Sequence, residues 1–191
     1  MAIAGVDVGT TGCKCTVCDL NGTILSQSYQ EYETQDTKNG WELNAWEVWL
    51  NIKKVIREAA LGQEAIQAIG VTSFGETPIL LGEDYKPLMN SLTYLDPRGE
   101  EECQRIVDHF GVEYLFQITG LKAHPMYSIS KLMWLAEHKR ELMEKTRHIC
   151  MFGDYITYML TGVFQIDYSL ASRTMAFDYR KLDWADDILE F

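Results

Sequence analysis

Basic charge is scarce in this 191-residue chain, with 17 Lys and Arg against 28 Asp and Glu and a formal charge of −11. An acidic chain without a basic cluster is poorly suited to a phosphate backbone, so nucleic acid is not expected as a partner. Long apolar runs are missing too. Nothing approaches the ~20 consecutive apolar residues of a membrane-spanning helix. The N-terminus has no basic segment leading into an apolar stretch and a small-residue cleavage site. No membrane is expected, and the expected location is cytoplasmic. Cysteine is present without a useful arrangement. The five thiols are an odd number that cannot all pair. On a strand, Cys13 and Cys15 share a face and Cys18 points the other way. Cys103 and Cys150 lack C-x-x-C spacing, and no clustered histidines complete a metal site. Reduced, structural thiols are expected. Repeats, low-complexity segments and long linkers are also lacking.

The chain has ordinary globular content, 47% hydrophobic and 24% charged residues. Residues 3–8 read as a strand, 9–12 as a Gly-Thr-Thr-Gly turn and 13–20 as a second strand. Asn21-Gly22 is a strong hairpin signal, with a third strand over 23–33. Asn44 reads as a helix N-cap with Glu47 three residues on. Trp49, Ile52, Ile56 and Ala59 then mark one helix face. Residues 66–74 read as a buried strand and 77–82 as another. Asp96-Pro97 reads as a cap and first-turn proline opening a charged helix to about 109. Signals from 111 to 161 are mostly helical, with Ile129, Leu132, Met133 and Ala136 as one stripe. A strand is expected at 147–150, a helix at 153–160 and a polar hairpin or extended segment at 164–177. An amphipathic helix start follows at 182–189 and is cut short at Phe191. Alternating strands and helices make the class α/β.

The segment Asp7-Val8-Gly9-Thr10-Thr11-Gly12-Cys13-Lys14 concentrates chemistry. A carboxylate ends a strand, and two glycines let backbone amides approach anionic oxygens while two hydroxyls add donors. Lys14 supplies a positive charge suited to a terminal phosphate. Asp7 suits Mg²⁺ held through water. The spacing is not that of a Walker A loop. Taken alone, the same residues also fit a hairpin chosen only for its turn geometry.

This hairpin resembles the D-x-G-[ST]-[ST] segment of sugar kinases, actin and the heat-shock ATPases. Three further stretches match in order. Met126-Tyr127-Ser128-Ile129-Ser130-Lys131-Leu132-Met133-Trp134 is similar to the sugar-kinase signature ending in K-[apolar]-x-W. Tyr94-Leu95-Asp96-Pro97-Arg98 resembles W-x-D-x-R, and Asp167 through Thr174 resembles D-x-[ST]-x-A-S-R-T. The chain thus resembles, from its first strand to its last residue, the N-terminal lobe of the FGGY carbohydrate kinases. That resemblance implies a ribonuclease-H-like (actin-like ATPase) domain over 1–191, its mixed sheet opening with an antiparallel meander and flanked by helices. It implies an incomplete first lobe and a second, ATP-binding lobe lying outside the chain.

The resemblance further implies ATP-dependent phosphorylation of a sugar hydroxyl, with ATP and Mg²⁺ as cofactors. Asp7 would serve the metal, and Thr10, Thr11, Gly12 and Lys14 the phosphates. Phe74, Gly75, Glu76, Tyr94, Asp96 and Tyr127 would meet the sugar or polyol. Asp96 and Arg98 also fit a plain ion pair, Tyr127 is displaced by one residue from the family's aromatic contact, and Lys131 and Trp134 read as structural. The family's catalytic aspartate, in a G-x-x-D segment, does not appear before Phe191 and is expected downstream. Glycerol kinases carry Arg-Glu where this chain has Gly75-Glu76, and xylulokinases carry Met-His. No subfamily pattern fits this chain cleanly, and the default substrate is a ketopentose such as xylulose, with glycerol or another polyol, a deoxyketose or gluconate as alternatives. A non-catalytic actin-like nucleotide-binding module is the alternative of a different class. Family members are often dimers, so a homodimer is a further expectation.

Overall fold

A computed structural model of the chain describes residues 1–38, 40–63 and 65–191. The first three strands form the expected meander: β1 (Ala2–Val8), β2 (Gly12–Asp19) and β3 (Ile24–Glu31). β1 and β2 pair antiparallel with Val8 opposite Cys13, and β2 and β3 pair antiparallel in turn. The β2–β3 turn has Gly22 at φ 85°, a conformation costly for other residues. A small hairpin absent from the expectations follows, β4 (Gln35–Thr37) and β5 (Gly40–Leu43). Then comes α1 (Ala45–Ala60), opened by Asn44, whose side chain accepts from the Glu47 amide at 3.0 Å. Val48, Ile52, Val55 and Ala59 of α1 are buried on the inner side of the sheet, against Ala4, Val6, Val8, Cys13, Cys15 and Val17. Each large apolar side chain buried there contributes roughly 1.5–3 kcal/mol.

β6 (Ile66–Ser73) runs parallel to β1 and gives the sheet the order β3-β2-β1-β6. The expected buried strand at 66–74 is therefore in place but mostly exposed. It is an edge strand among the described residues, with β1 alone beside it. β7 (Ile79–Leu81), β8 (Ser91–Leu92) and α2 (Glu100–Phe110) come next. The cap expected at Asp96-Pro97 is a correction. The helix starts three residues later, from Gly99 at φ 103°. The Asp96 carboxylate is spent elsewhere, on the amides of Trp41 (2.8 Å) and Arg98 (3.0 Å).

The rest is mainly helical: α3 (Val112–Thr119), α4 (Ser128–His138), α5 (Arg140–Lys145), then β9 (His148–Cys150) and α6 (Phe152–Thr161). β9 pairs with β7, and α6 ends at Gly162 with φ 76°. The segment expected to be extended contains a short helix, α7 (Tyr168–Ser172), because the Asp167 side chain caps it through the Leu170 amide at 2.9 Å. β10 (Phe177–Asp178) and β11 (Asp183–Trp184) form a two-stranded ribbon before α8 (Asp186–Glu190). The start of the expected final helix is thus strand.

A second apolar cluster joins α2, α3 and α4 to residues 175–188. The most buried line of α4 is Ser128, Lys131 and Leu135, not the expected Ile129–Ala136 stripe, which is only partly covered or exposed. Lys131 can lie inside because its ammonium donates to the carbonyls of Asp96 (2.8 Å) and Arg98 (3.3 Å). Among the described residues no helix is long and apolar enough to cross a membrane.

Candidate active site

Two loops meet at the ends of neighbouring strands. The β1–β2 turn is closed by Gly9 N donating to Gly12 O at 2.9 Å. A Cβ on Gly9 would lie 2.9 Å from Gly12 O, and one on Gly12 would lie 2.5 Å from the Tyr29 hydroxyl and 2.8 Å from Gln30 O. Both glycines are therefore sterically required. Tyr32 braces the turn from β3's end, its hydroxyl donating to Gly9 O at 2.5 Å and its amide to Thr11 O at 3.2 Å. Thr11 is exposed and Thr10 half-buried. Asp7 and Lys14 are cross-strand partners, both exposed, with Thr72 of β6 on the other side of Asp7. They line an open hollow of 520 Å³ with Gly5, Thr16 and Gly70. The turn offers hydroxyls, glycine backbone and one lysine, which suits phosphate. Asp7 offers a hard carboxylate oxygen, which suits Mg²⁺.

β6 ends beside this turn, with Phe74 N donating to Val8 O at 3.0 Å. Phe74 packs on Phe152 with ring centroids 4.8 Å apart. Glu76 is buried and stands at φ 64°, a left-handed conformation uncommon for any residue that carries a Cβ. Its carboxylate is ion-paired with Arg173, and its carbonyl accepts from Ser128 Oγ at 3.0 Å. The Arg173 guanidinium also lies 5.1 Å from the Tyr127 ring centroid. Gly75, Glu76, Tyr127, Ser128 and Arg173 thus form one cluster, next to the glycine turn.

The remaining two expected contacts sit differently. Asp96 is buried and saturated by the Trp41 and Arg98 amides and by Arg98 Nε (2.8 Å) and Nη2 (2.6 Å). Arg98 also reaches Glu42 at 2.8 Å and lies 5.4 Å from the Trp134 ring centroid. The ion-pair reading of Asp96 and Arg98 is the one seen here. Tyr94, half-buried, precedes this network and, among the described residues, makes no hydrogen bond or ion pair with the Glu76 cluster. The two assemblies are linked through α4, where Ser128 holds the Glu76 carbonyl and Lys131, one turn on, holds those of Asp96 and Arg98. Burial lowers Lys131 to about 8.

In the sequence, Arg173 and Ser128 stand out only as parts of motifs. The signal that marks them is long-range, since 52 residues separate Ser128 from the carbonyl it holds. Asp154 was not singled out either. It lies at the start of α6 beside Ser73, its Oδ2 accepting from Met151 N at 2.7 Å and its buried Oδ1 without a partner among the described residues. Burial pushes it up to about 6.

With this geometry the comparisons are decisive for family. The model for the FGGY family of carbohydrate kinases, N-terminal domain, matches residues 2–191. The chain belongs to this family. Its relatives include glycerol kinase from Thermococcus kodakarensis, 35% identical over 197 residues that cover 98% of this chain and 39% of the relative. Gluconate kinase from Lactobacillus acidophilus superposes with a TM-score of 0.92 at 27% identity, covering 99% of this chain and 39% of the other. Xylulose kinase from Rhodospirillum rubrum gives a TM-score of 0.94 at 20% identity, over 100% of this chain and 40% of its own. That likeness bears on the fold alone. The actin-like α/β architecture of FGGY N-terminal domains is the one adopted here. The chain spans about 40% of the length of the curated relatives it matches.

Proposed function

We propose that the chain supplies the phosphate-binding turn and the sugar-binding loop of an ATP-dependent kinase acting on a sugar or polyol hydroxyl. Membership of the FGGY family supports the reaction class. The observation that carries the assignment of the site is Glu76, a buried acid in a left-handed conformation two residues past the Phe74–Val8 hydrogen bond that ties β6 to β1 just before the glycine turn. Phosphoryl transfer depends chiefly on positioning and charge neutralisation. In this reading Gly12, Thr10 and Thr11 line the phosphates and Lys14 faces their charge. Asp7 would hold Mg²⁺, which supplies charge neutralisation when bound. Glu76 accepts hydrogen bonds from the acceptor's hydroxyls, with Phe74, Gly75 and Tyr127 shaping its surroundings. Tyr94 closes the site from the loop that Asp96 anchors from behind. The general base is assigned to the G-x-x-D segment expected beyond Phe191. A ketopentose is the default acceptor, with polyols and aldonates next.

The experiment is Mg-ATP-dependent ADP release by the complete gene product against ketoses, polyols and aldonates. A strong responder is expected and names the acceptor. Silence across the panel with nucleotide still bound would overturn the kinase reading in favour of a non-catalytic actin-like module.

A further inference from the structure

Arg173 has no assigned role in the reaction so far, and its setting is built rather than incidental. It follows α7, its amide donating to Leu170 O at 3.1 Å. The next residue is stitched down twice, with Ile129 N donating to Thr174 O at 3.0 Å and Thr174 Oγ1 to Ala171 O at 2.7 Å. From this fixed base the side chain crosses to the end of β6. Its stem covers Gly75, where a Cβ would come 3.0 Å from Arg173 Cγ and 3.1 Å from Arg173 Cβ. Its guanidinium lies over Tyr127 and pairs with Glu76. The Arg173 side chain is 36% exposed while that of Glu76 is 7% exposed, so the guanidinium retains an open side.

We propose that Arg173, its stem packed over Gly75, is a positioning and specificity residue for the acceptor. This rests on the kinase reading of the Glu76 site. The ion pair holds the Glu76 carboxylate in place against its unfavourable backbone conformation. A guanidinium has five N–H donors in a planar fork and a carboxylate has about four acceptor sites, so the pair keeps unused capacity of both kinds. Adjacent donor and acceptor suit two neighbouring hydroxyls, one accepting from Arg173 and one donating to Glu76. The acceptor class that uses both is a vicinal diol. An analogue lacking either hydroxyl leaves one half of the pair unmet.

The test uses the complete gene product, the responding sugar and its matched deoxy analogue. Arg173→Met is expected to raise KM for the sugar roughly 10- to 100-fold, the loss of charged hydrogen bonds, with a smaller change in kcat. It is also expected to narrow the preference for the diol over the deoxy compound. Arg173→Lys recovers part of the loss. Gly75→Ala, which keeps every charge and shifts the stem by a few tenths of an ångström, raises KM as well, by less than Arg173→Met does. Combined with Glu76→Gln, Arg173→Met costs less than the product of the two single effects. Thermal melts check that each variant is folded. If Arg173→Met fails to fold, the Lys and Gly75→Ala variants decide. A folded variant with unchanged KM, or losses that multiply independently, overturns the proposal and leaves the kinase reading intact. A wild type silent on every sugar overturns that reading, and this one with it.

Discussion

The glycine turn and the Glu76 loop stand side by side, joined by one hydrogen bond from Phe74 N to Val8 O, yet they are made in opposite ways. The turn is local. Its strands, its glycines and its braces Tyr29 and Tyr32 all fall within the first 32 residues. The loop is held from afar, by Ser128 on α4 and Arg173 after α7. The turn uses glycine where a Cβ has no room. The loop places a glutamate at φ 64° and relies on tertiary contacts to outweigh the local preference. A site made of both kinds fails in two distinguishable ways.

The largest effect is expected on the local side. Gly12→Ala puts a methyl 2.8 Å from the Gln30 backbone carbonyl, and should cost about 2–3 kcal/mol in urea unfolding, an overpacking penalty. Its hydrogen-exchange signature should centre on β2 and β3 and spare α4.

Lys131→Met attacks the long-range side. It leaves the carbonyls of Asp96 and Arg98 without their ammonium donor, a loss of about 1–3 kcal/mol. Because burial lowers Lys131 to about 8 from 10.5, the folded state sheds this proton first. In the wild type its contribution should make stability rise as pH climbs from 8 towards 10.5, and the variant should lose that rise. A slope unchanged in Lys131→Met would show that the group does not titrate in this window.

The smallest effect sharpens the boundary between the two. Gly153 of α6 lies against Ser73, at the root of the Glu76 loop, and Asp154 lines the same pocket. Burial, with a minor contribution from the Asp167 charge, raises Asp154 to about 6 from 3.8. The folded state therefore binds the extra proton between those values, and the associated stability is present below about pH 4 and lost as pH rises through 6. Asp154→Asn should flatten this slope and be about 1 kcal/mol more stable at pH 7.5, a gain limited by its new amide donors. Melts from pH 4 to 8 measure it.

Legibility in the sequence follows the same division. The meander, the Asn44 cap and the inner face of α1 were readable because their causes lie within a few residues of one another. Asp96-Pro97 misled because a capping acid next to proline is a good local signal, and only the fold shows its carboxylate committed to Trp41 and Arg98. β6 looked buried because it is rich in apolar residues, but pattern does not record whether a strand has one neighbour or two. Lys131 defeated periodicity outright, since it stands outside the apolar stripe of Ile129, Leu132, Met133 and Ala136 and yet lies fully buried. Its motif marked the residue without indicating the carbonyls that satisfy it.

The close fit of the Arg173 stem over Gly75 also constrains how this site can change. A Cβ introduced at 75 would lie 3.0–3.1 Å from the Arg173 stem, which must then give by a few tenths of an ångström, whereas shortening 173 forfeits the ion pair on Glu76. A change at 75 is therefore felt at Glu76 only through how far the Arg173 stem moves. For evolution or for a designer this makes the two positions one unit. Libraries that vary residues 75 and 173 together therefore sample placements of the Glu76 partner that a library at 75 alone leaves out.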